Sequence, residues 1–322
     1  MKKICIFGAG AVGGHMAAYL ARAGLEVSVV ARGPHLAAIR ESGLTLVGQD
    51  ETFTVKVAAS DRPADLGPQD LVISTLKAQA LSATAASFVP LLTDDTPVIF
   101  AVNGIPWWYF HGLADDASSR LPRLDPEGGL WRHIGAARAL GCVIRSPNEI
   151  TSPGVVRAAG KANTFTIGEP DGSDSLRLKT VVNTLKQGLA GARASTQIRS
   201  DIWAKLALNV PSSLLACLTT STAPDLFANP ETRALYQRLG EETGRVAAAY
   251  DAHANFDIDK QIQATGQTRH PPSMLQDLLA GRPIELDAQM RAVQDLGRLA
   301  NVSTPTLDIM VALLDQRARA RA

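Results

Sequence analysis

The run Gly8-Ala9-Gly10-Ala11-Val12-Gly13, with Gly14 behind it, follows a short apolar stretch and opens an alanine-rich one. In that setting each glycine has a physical task. Gly8 permits a tight turn, Gly10 lets the backbone approach a ligand closely, and Gly13 lets a helix pack against a strand. Amides at the start of such a helix face the turn and favour an anion, so Gly8 to Gly13, with Ala9, Ala11 and Val12 among them, read as a pyrophosphate cradle. An ordinary glycine turn in an α/β protein is the plainer alternative. At the end of the next apolar run, Val30-Ala31-Arg32-Gly33 carries an arginine where NAD sites place an acid on the ribose. A charge-assisted hydrogen bond from Arg32 to a phosphate contributes about 1.5–3 kcal/mol, a roughly ten- to hundredfold preference for NADPH. A solvated loop arginine is the competing reading. Lys77 in Ser74-Thr75-Leu76-Lys77 and Asn103 in Ala101-Val102-Asn103-Gly104 end further apolar runs, where polar side chains can line a cleft. By themselves both also suit a helix start or a turn.

These residues need a scaffold of parallel strands. Residues 3 to 7, Glu26 to Val30, Leu71 to Thr75 and Pro97 to Val102 read as strands, with Val12 to Ala23 and Ala78 to Val89 as helices between them. That alternation predicts a Rossmann-type, doubly wound α/β sheet. Gly141 to Ile144, Gly154 to Ala158 and Thr164 to Ile167 read as an antiparallel edge, closed by a helix from Leu176 to Leu189 and an extended segment from Ala192 to Ile198. Strand signals then stop. Ile202 to Leu218, Pro230 to Tyr250, Asp259 to Thr265, Met274 to Leu279, Ile284 to Ala300 and Pro305 to Ala320 predict an all-α C-terminal domain. The expected division is therefore 1–196 for the NADP-binding Rossmann domain and 197–322 for a helical substrate and catalytic domain. Asp115 to Gly129, rich in Pro, Gly, Asp and Ser, is the expected mobile surface loop.

Composition narrows the partners. With 32 Lys plus Arg against 31 Asp plus Glu, the chain has no net field to draw it to nucleic acid or an acidic membrane. Cys5, Cys142 and Cys217 lie far apart, and the six histidines show no ligand spacing, so neither a disulfide framework nor a metal site is expected. The apolar run after Lys2 and Lys3 breaks at Gly8, too early for a secretory leader, and no 18-residue apolar segment is evident. A cytoplasmic protein acting on a small molecule is the expectation. A homodimer is left open, since no heptad seam argues for one.

Further motifs join the glycine run: Leu76-Lys77, Asn103-Gly104, Trp203-Ala204-Lys205-Leu206 with Asn209, and Ser273-Met274-Leu275-Gln276-Asp277 with Glu285. Together, in this order and across both expected domains, they resemble the ketopantoate reductases. The glycine run is common to many unrelated proteins, whereas Ser273 to Glu285 coupled to the lysine segment is specific. The resemblance implies reduction of 2-dehydropantoate to (R)-pantoate by hydride from NADPH, a step of pantothenate biosynthesis. It further implies Lys205 and Glu285 as catalytic residues and Asn209, Ser213, Ser273 and Asn103 as substrate contacts. Lys77, Asn103 and Glu285 would touch the cofactor.

Physical reasoning agrees with these roles. Lys205 and Asn209 stand four residues apart and share a helix face. A carbonyl that accepts hydride becomes an alkoxide, which an ammonium can stabilise and protonate. A free lysine titrates at about 10.4, so partial burial and a neighbouring cation such as Lys77 would be needed to make it a better acid at neutral pH. A surface lysine on an amphipathic helix is the commoner case for any single lysine, and Ser273 and Glu285 also suit a helix cap and a solvated carboxylate. Departures from the family pattern bear on the substrate. Ser213 stands where an asparagine is usual, Pro211 falls inside the lysine helix and should kink it near Ala207, and Asp287-Ala288-Gln289-Met290 replaces a segment that usually holds an asparagine. Trp107 and Trp108 could form a hydrophobic lid or an interface patch. Two alternatives stay open: a related reductase of another branched 2-oxo acid, and a non-catalytic NADPH-binding sensor.

Overall fold

The computed structural model describes residues 1–113, 120–158 and 163–320. The chain separates into two units, Met1–Ile198 and Arg199–Ala322. In the first, β1 (Lys3–Phe7), α1 (Ala11–Arg22), β2 (Glu26–Val30) and α2 (Gly33–Ser42) lead to a small hairpin, β3 (Leu44–Val47) and β4 (Thr52–Val55). The chain continues through β5 (Ala58–Ser60), β6 (Leu71–Ser74), α3 (Ala78–Thr84), β7 (Val98–Phe100), α4 (Gly129–His133), β8 (Ala139–Arg145), β9 (Asn148–Ser152), β10 (Val155–Ala158), β11 (Thr164–Gly168), α5 (Leu176–Lys186) and β12 (Ala192–Ala194).

Among the described residues an eight-stranded sheet runs β12-β11-β8-β7-β6-β1-β2-β5. Its pairings from β5 to β8 are parallel, and β8–β11 is the antiparallel joint. Central strands such as Lys3–Phe7 and Leu71–Ser74 are almost continuously apolar because both faces are covered. One expectation changes here. Residues 155–158 do not extend the main sheet's edge; they pair with β3 and β9 in a separate four-stranded sheet, order β4-β3-β10-β9.

That second sheet explains the composition of α1. A side chain at Gly13 would meet Ile6 of β1, whereas one at Gly14 would sit 2.7 Å from Val156 of β10. The helix therefore touches both sheets, and small residues let it lie close to each. His15 on the same helix is 2% exposed, beside Tyr19 and Phe165, and neither ring nitrogen has a hydrogen-bond partner among the described residues. Burial lowers its pKa from 6.5 to about 4, so it is a neutral packing residue near pH 7. The cysteines are likewise buried and unbridged; burial, only partly offset by a hydrogen bond with Ser28, raises the Cys5 thiol to about 12.

The helix expected over Ala78 to Val89 is α-helical only to Thr84. It tightens into 3₁₀ turns over Ala85–Leu91, where Pro90 removes a backbone donor. Trp107 and Trp108 are core residues, 3% and 0% exposed, so neither is a lid or a surface patch. Trp107 meets Phe100 and Trp131 edge-on at 5.4 and 5.5 Å. Of the loop expected from Asp115 to Gly129, residues 115–119 lie outside the described residues. Over 120–128 the chain is anchored by buried Asp125, whose carboxylate accepts hydrogen bonds from the Leu130 and Trp131 amides at the start of α4.

The second unit is helical: α6 (Ile198–Thr219, its first residue closing the first unit), α7 (Ala223–Ala228), α8 (Pro230–Ala248), α9 (Ile258–Thr265), α10 (Ser273–Leu279), α11 (Ala292–Leu299) and α12 (Pro305–Arg319). The short α7 escaped the periodicity reading although Thr222 and Asp225 form a capping box at its start. Polar anchors join the helices. The buried Glu242 carboxylate of α8 accepts from the Thr306 and Leu307 amides at the start of α12, and the Tyr236 hydroxyl donates to the Leu208 carbonyl of α6 at 3.1 Å. The expectation of no long apolar segment needs correcting. Ile198–Thr219 reaches a mean hydropathy of 1.3 over an 18-residue window and is long and apolar enough to cross a membrane by length and composition, yet 61% of that window is buried within the protein.

Candidate functional site

In the first unit the candidate residues gather at the carboxyl ends of neighbouring parallel strands. After β1 the chain turns at Gly8, whose φ of +106° is open to glycine alone at low cost. The Gly8 and Ala9 amides both donate to the Val30 carbonyl at the end of β2, at 3.1 Å each. Two residues beyond Val30, Arg32 occupies the cap position of α2, exposed, with no acidic partner among the described residues. On the other side, the Thr75 hydroxyl donates to the Gly8 carbonyl, tying the turn to the end of β6. Thr75 was missed as a site residue; its hydroxyl type beside the glycine turn was the available signal. Lys77 follows as the exposed cap residue of α3, and the Ala101 amide donates to Ser74 at 2.9 Å, bringing the Asn103 bend alongside.

The three motif glycines differ in what requires them. At Gly13 a Cβ would lie 2.1 Å from the Gly8 carbonyl oxygen, so packing forbids one. Gly8 is required by its φ. Gly10 has an ordinary φ of −66°, and a Cβ there would meet nothing within 4 Å among the described residues. Their packing does not call for glycine at this position, while the first amides of α1 lack partners within the helix and its first turn holds no acidic residue. The turn therefore fits an anionic group of a bound cofactor approaching its backbone.

In the second unit Lys205, Asn209 and Ser213 follow one another at four-residue intervals and share a face of α6. Lys205 and Asn209 are half-buried and Ser213 is buried, while Trp203 and Leu206 beside them are in the core. The helix continues across Pro211 without a break. Ser273 opens α10 as its first residue and is exposed; Pro272 takes the cap position, and no side-chain capping bond forms. Its hydroxyl is thus not a helix cap. Glu285 is 7% exposed, not a solvated carboxylate, and accepts a hydrogen bond from Gln289 Nε2 at 3.2 Å. It lies just before a helical stretch that begins as a π turn, Asp287–Arg291, and continues as α11.

Comparison with known proteins covers both units. Residues 4–172 match the model described as Ketopantoate reductase PanE/ApbA, and residues 197–318 match the model of its C-terminal domain. A 2-dehydropantoate 2-reductase of Mesorhizobium japonicum is 40% identical over 319 residues, 98% of each chain. Among solved structures, a Ralstonia solanacearum protein with a provisional ketopantoate reductase assignment superposes with a TM-score of 0.93 at 34% identity, covering 99% of this chain and 98% of the other. The 2-dehydropantoate 2-reductase of Geobacter metallireducens gives a TM-score of 0.84 at 26% identity, covering 98% of this chain and 99% of that one. With matched models over both units and a relative this similar along its whole length, the chain belongs to the ketopantoate reductase family.

Proposed function

We propose that this chain reduces 2-dehydropantoate to (R)-pantoate with NADPH, in the cytoplasm. The observation that carries this reading is the 40% identity, along 98% of the chain, to a relative named for that reaction. The first unit supplies cofactor contacts. The Gly8 to Gly13 turn and the α1 amides would hold the pyrophosphate, Arg32 would pair with the 2′-phosphate, and Lys77 and Asn103 would line the nicotinamide end. When bound, the reduced nicotinamide supplies a hydride to the 2-oxo carbon.

The second unit supplies the proton and substrate contacts. As the carbonyl oxygen gains charge, the Lys205 ammonium stabilises it and delivers a proton, so the oxygen stays on its carbon as the hydroxyl of the product. Asn209 offers an amide and Ser273 an exposed hydroxyl to the substrate. Glu285, acceptor-only when ionised, holds a hydroxyl or ammonium donor of the reacting assembly in place. A second reading, reduction of a different branched 2-oxo acid, is favoured by Ser213, whose buried hydroxyl reaches less far than the usual amide. Steady-state NADPH oxidation with 2-dehydropantoate and a panel of 2-oxo acids decides between them. Highest efficiency with 2-dehydropantoate is expected, and an acid at least about a hundredfold better would replace it.

A further inference from the structure

Gln289 is buried, 2% exposed, on the π turn Asp287–Arg291. Its Nε2 donates to Glu285 Oε2 at 3.2 Å. An ionised carboxylate can only accept, so the amide must present its nitrogen to Glu285, and that orientation leaves Oε1 on the far side. There Oε1 is buried without a hydrogen-bond partner among the described residues. Such an orphan acceptor loses its hydration with no bond gained in return, a cost that a methionine of similar shape at this position would avoid. The fold on its own is therefore better served by an apolar residue, as at the neighbouring Ala288 and Met290, both essentially inaccessible. What the glutamine contributes in return is one directed N–H on one carboxylate. The π turn adds to the argument, since single π turns are strained insertions that recur where a side chain must be aimed.

We infer that Gln289 is a positioning residue: its amide fixes the orientation of the Glu285 carboxylate and favours its ionised form. This rests on the reading of Glu285 as part of the reacting assembly, and the test separates the two. Kinetics would be measured for Gln289→Met, Glu285→Ala and the double variant, with melting curves for each, and the Glu285 carboxyl titration would be followed by carbon-13 NMR in protein free of cofactor. The expected result is a fall in kcat/KM of about ten- to hundredfold for Gln289→Met with cooperative melting retained, and no further fall when it is added to Glu285→Ala. The Glu285 carboxyl should titrate at higher pH in Gln289→Met than in the parent, whether or not substrate turns over.

Gln289→Glu preserves shape and so isolates the hydrogen bond. At alkaline pH two carboxylates repel; as pH falls they share a proton, and an O–H again donates to Glu285. Its activity relative to the parent should therefore rise as pH falls, which lost packing alone would not produce. An impaired Glu285→Ala beside a fully active Gln289→Met, equal losses for Gln289→Met with and without Glu285, or an unmoved Glu285 titration would each overturn the inference. A fully active Glu285→Ala would instead remove the role given to Glu285, and the positioning role with it.

Discussion

The first unit's candidate site is written in backbone, the second's in side chains. At the glycine turn the positive φ of Gly8 and the 2.1 Å approach at Gly13 leave no choice of residue, whereas at Gly10 the packing of the described residues leaves a choice, which the proposed cofactor contact would remove. On α6 Lys205 and Asn209 lie on a half-buried helix face, a setting that accepts many residue types. Geometry therefore marks the glycine turn by the residues it forbids. The proposed proton donor rests instead on the chemistry a lysine offers.

That contrast is open to attack by substitution. The largest effect should come from Lys205→Ala, with turnover down by about two to four decades and NADPH affinity nearly unchanged in a binding titration. Next, Gly13→Ala should destabilise the protein by about 4 kcal/mol or more, or prevent folding, because a backbone carbonyl stands in the way. Gly10→Ala should melt with the parent yet bind NADPH at least about tenfold more weakly; if both alanines behave alike, the distinction between the two glycines fails. Arg32→Asp should lower the preference for NADPH over NADH by about ten- to hundredfold, and an unchanged ratio would put the phosphate elsewhere.

The smallest effect concerns His15. Its folded pKa of about 4 lies below its ordinary 6.5, so the unfolded chain binds the proton first as the solution is acidified. The stability contributed by the neutral ring is complete above about pH 6.5 and is lost toward about pH 4, amounting to about 1 kcal/mol by about pH 5.5. His15→Leu should flatten that part of the stability profile in urea titrations at several pH values.

What could be read from the sequence follows the same division. The parallel core and the glycine turn were legible because strands buried on both faces are apolar throughout and tight turns admit few residues. The second sheet was not, because β3, β4 and β9 are short and mixed in polarity, with Thr52–Val55 alternating exposed and half-buried residues and Asn148–Ser152 largely exposed. Trp107 and Trp108 misled because large aromatics suit a lid, an interface and a core equally well until their neighbours are known. For Glu285, sequence gave the residue but not its burial or its Gln289 partner, since the π turn that carries Gln289 leaves no periodic signal over five residues.

Hydride transfer can be followed by isotopic label. The protein would be given NADPH deuterated at the transferable position of the nicotinamide together with 2-dehydropantoate, and the product examined by NMR and mass spectrometry. Pantoate should carry deuterium on the carbon that bears the new hydroxyl and form at a rate that collapses in Lys205→Ala. Tight NADPH binding with no deuterium delivered to 2-dehydropantoate or to any other 2-oxo acid would contradict hydride transfer by this chain.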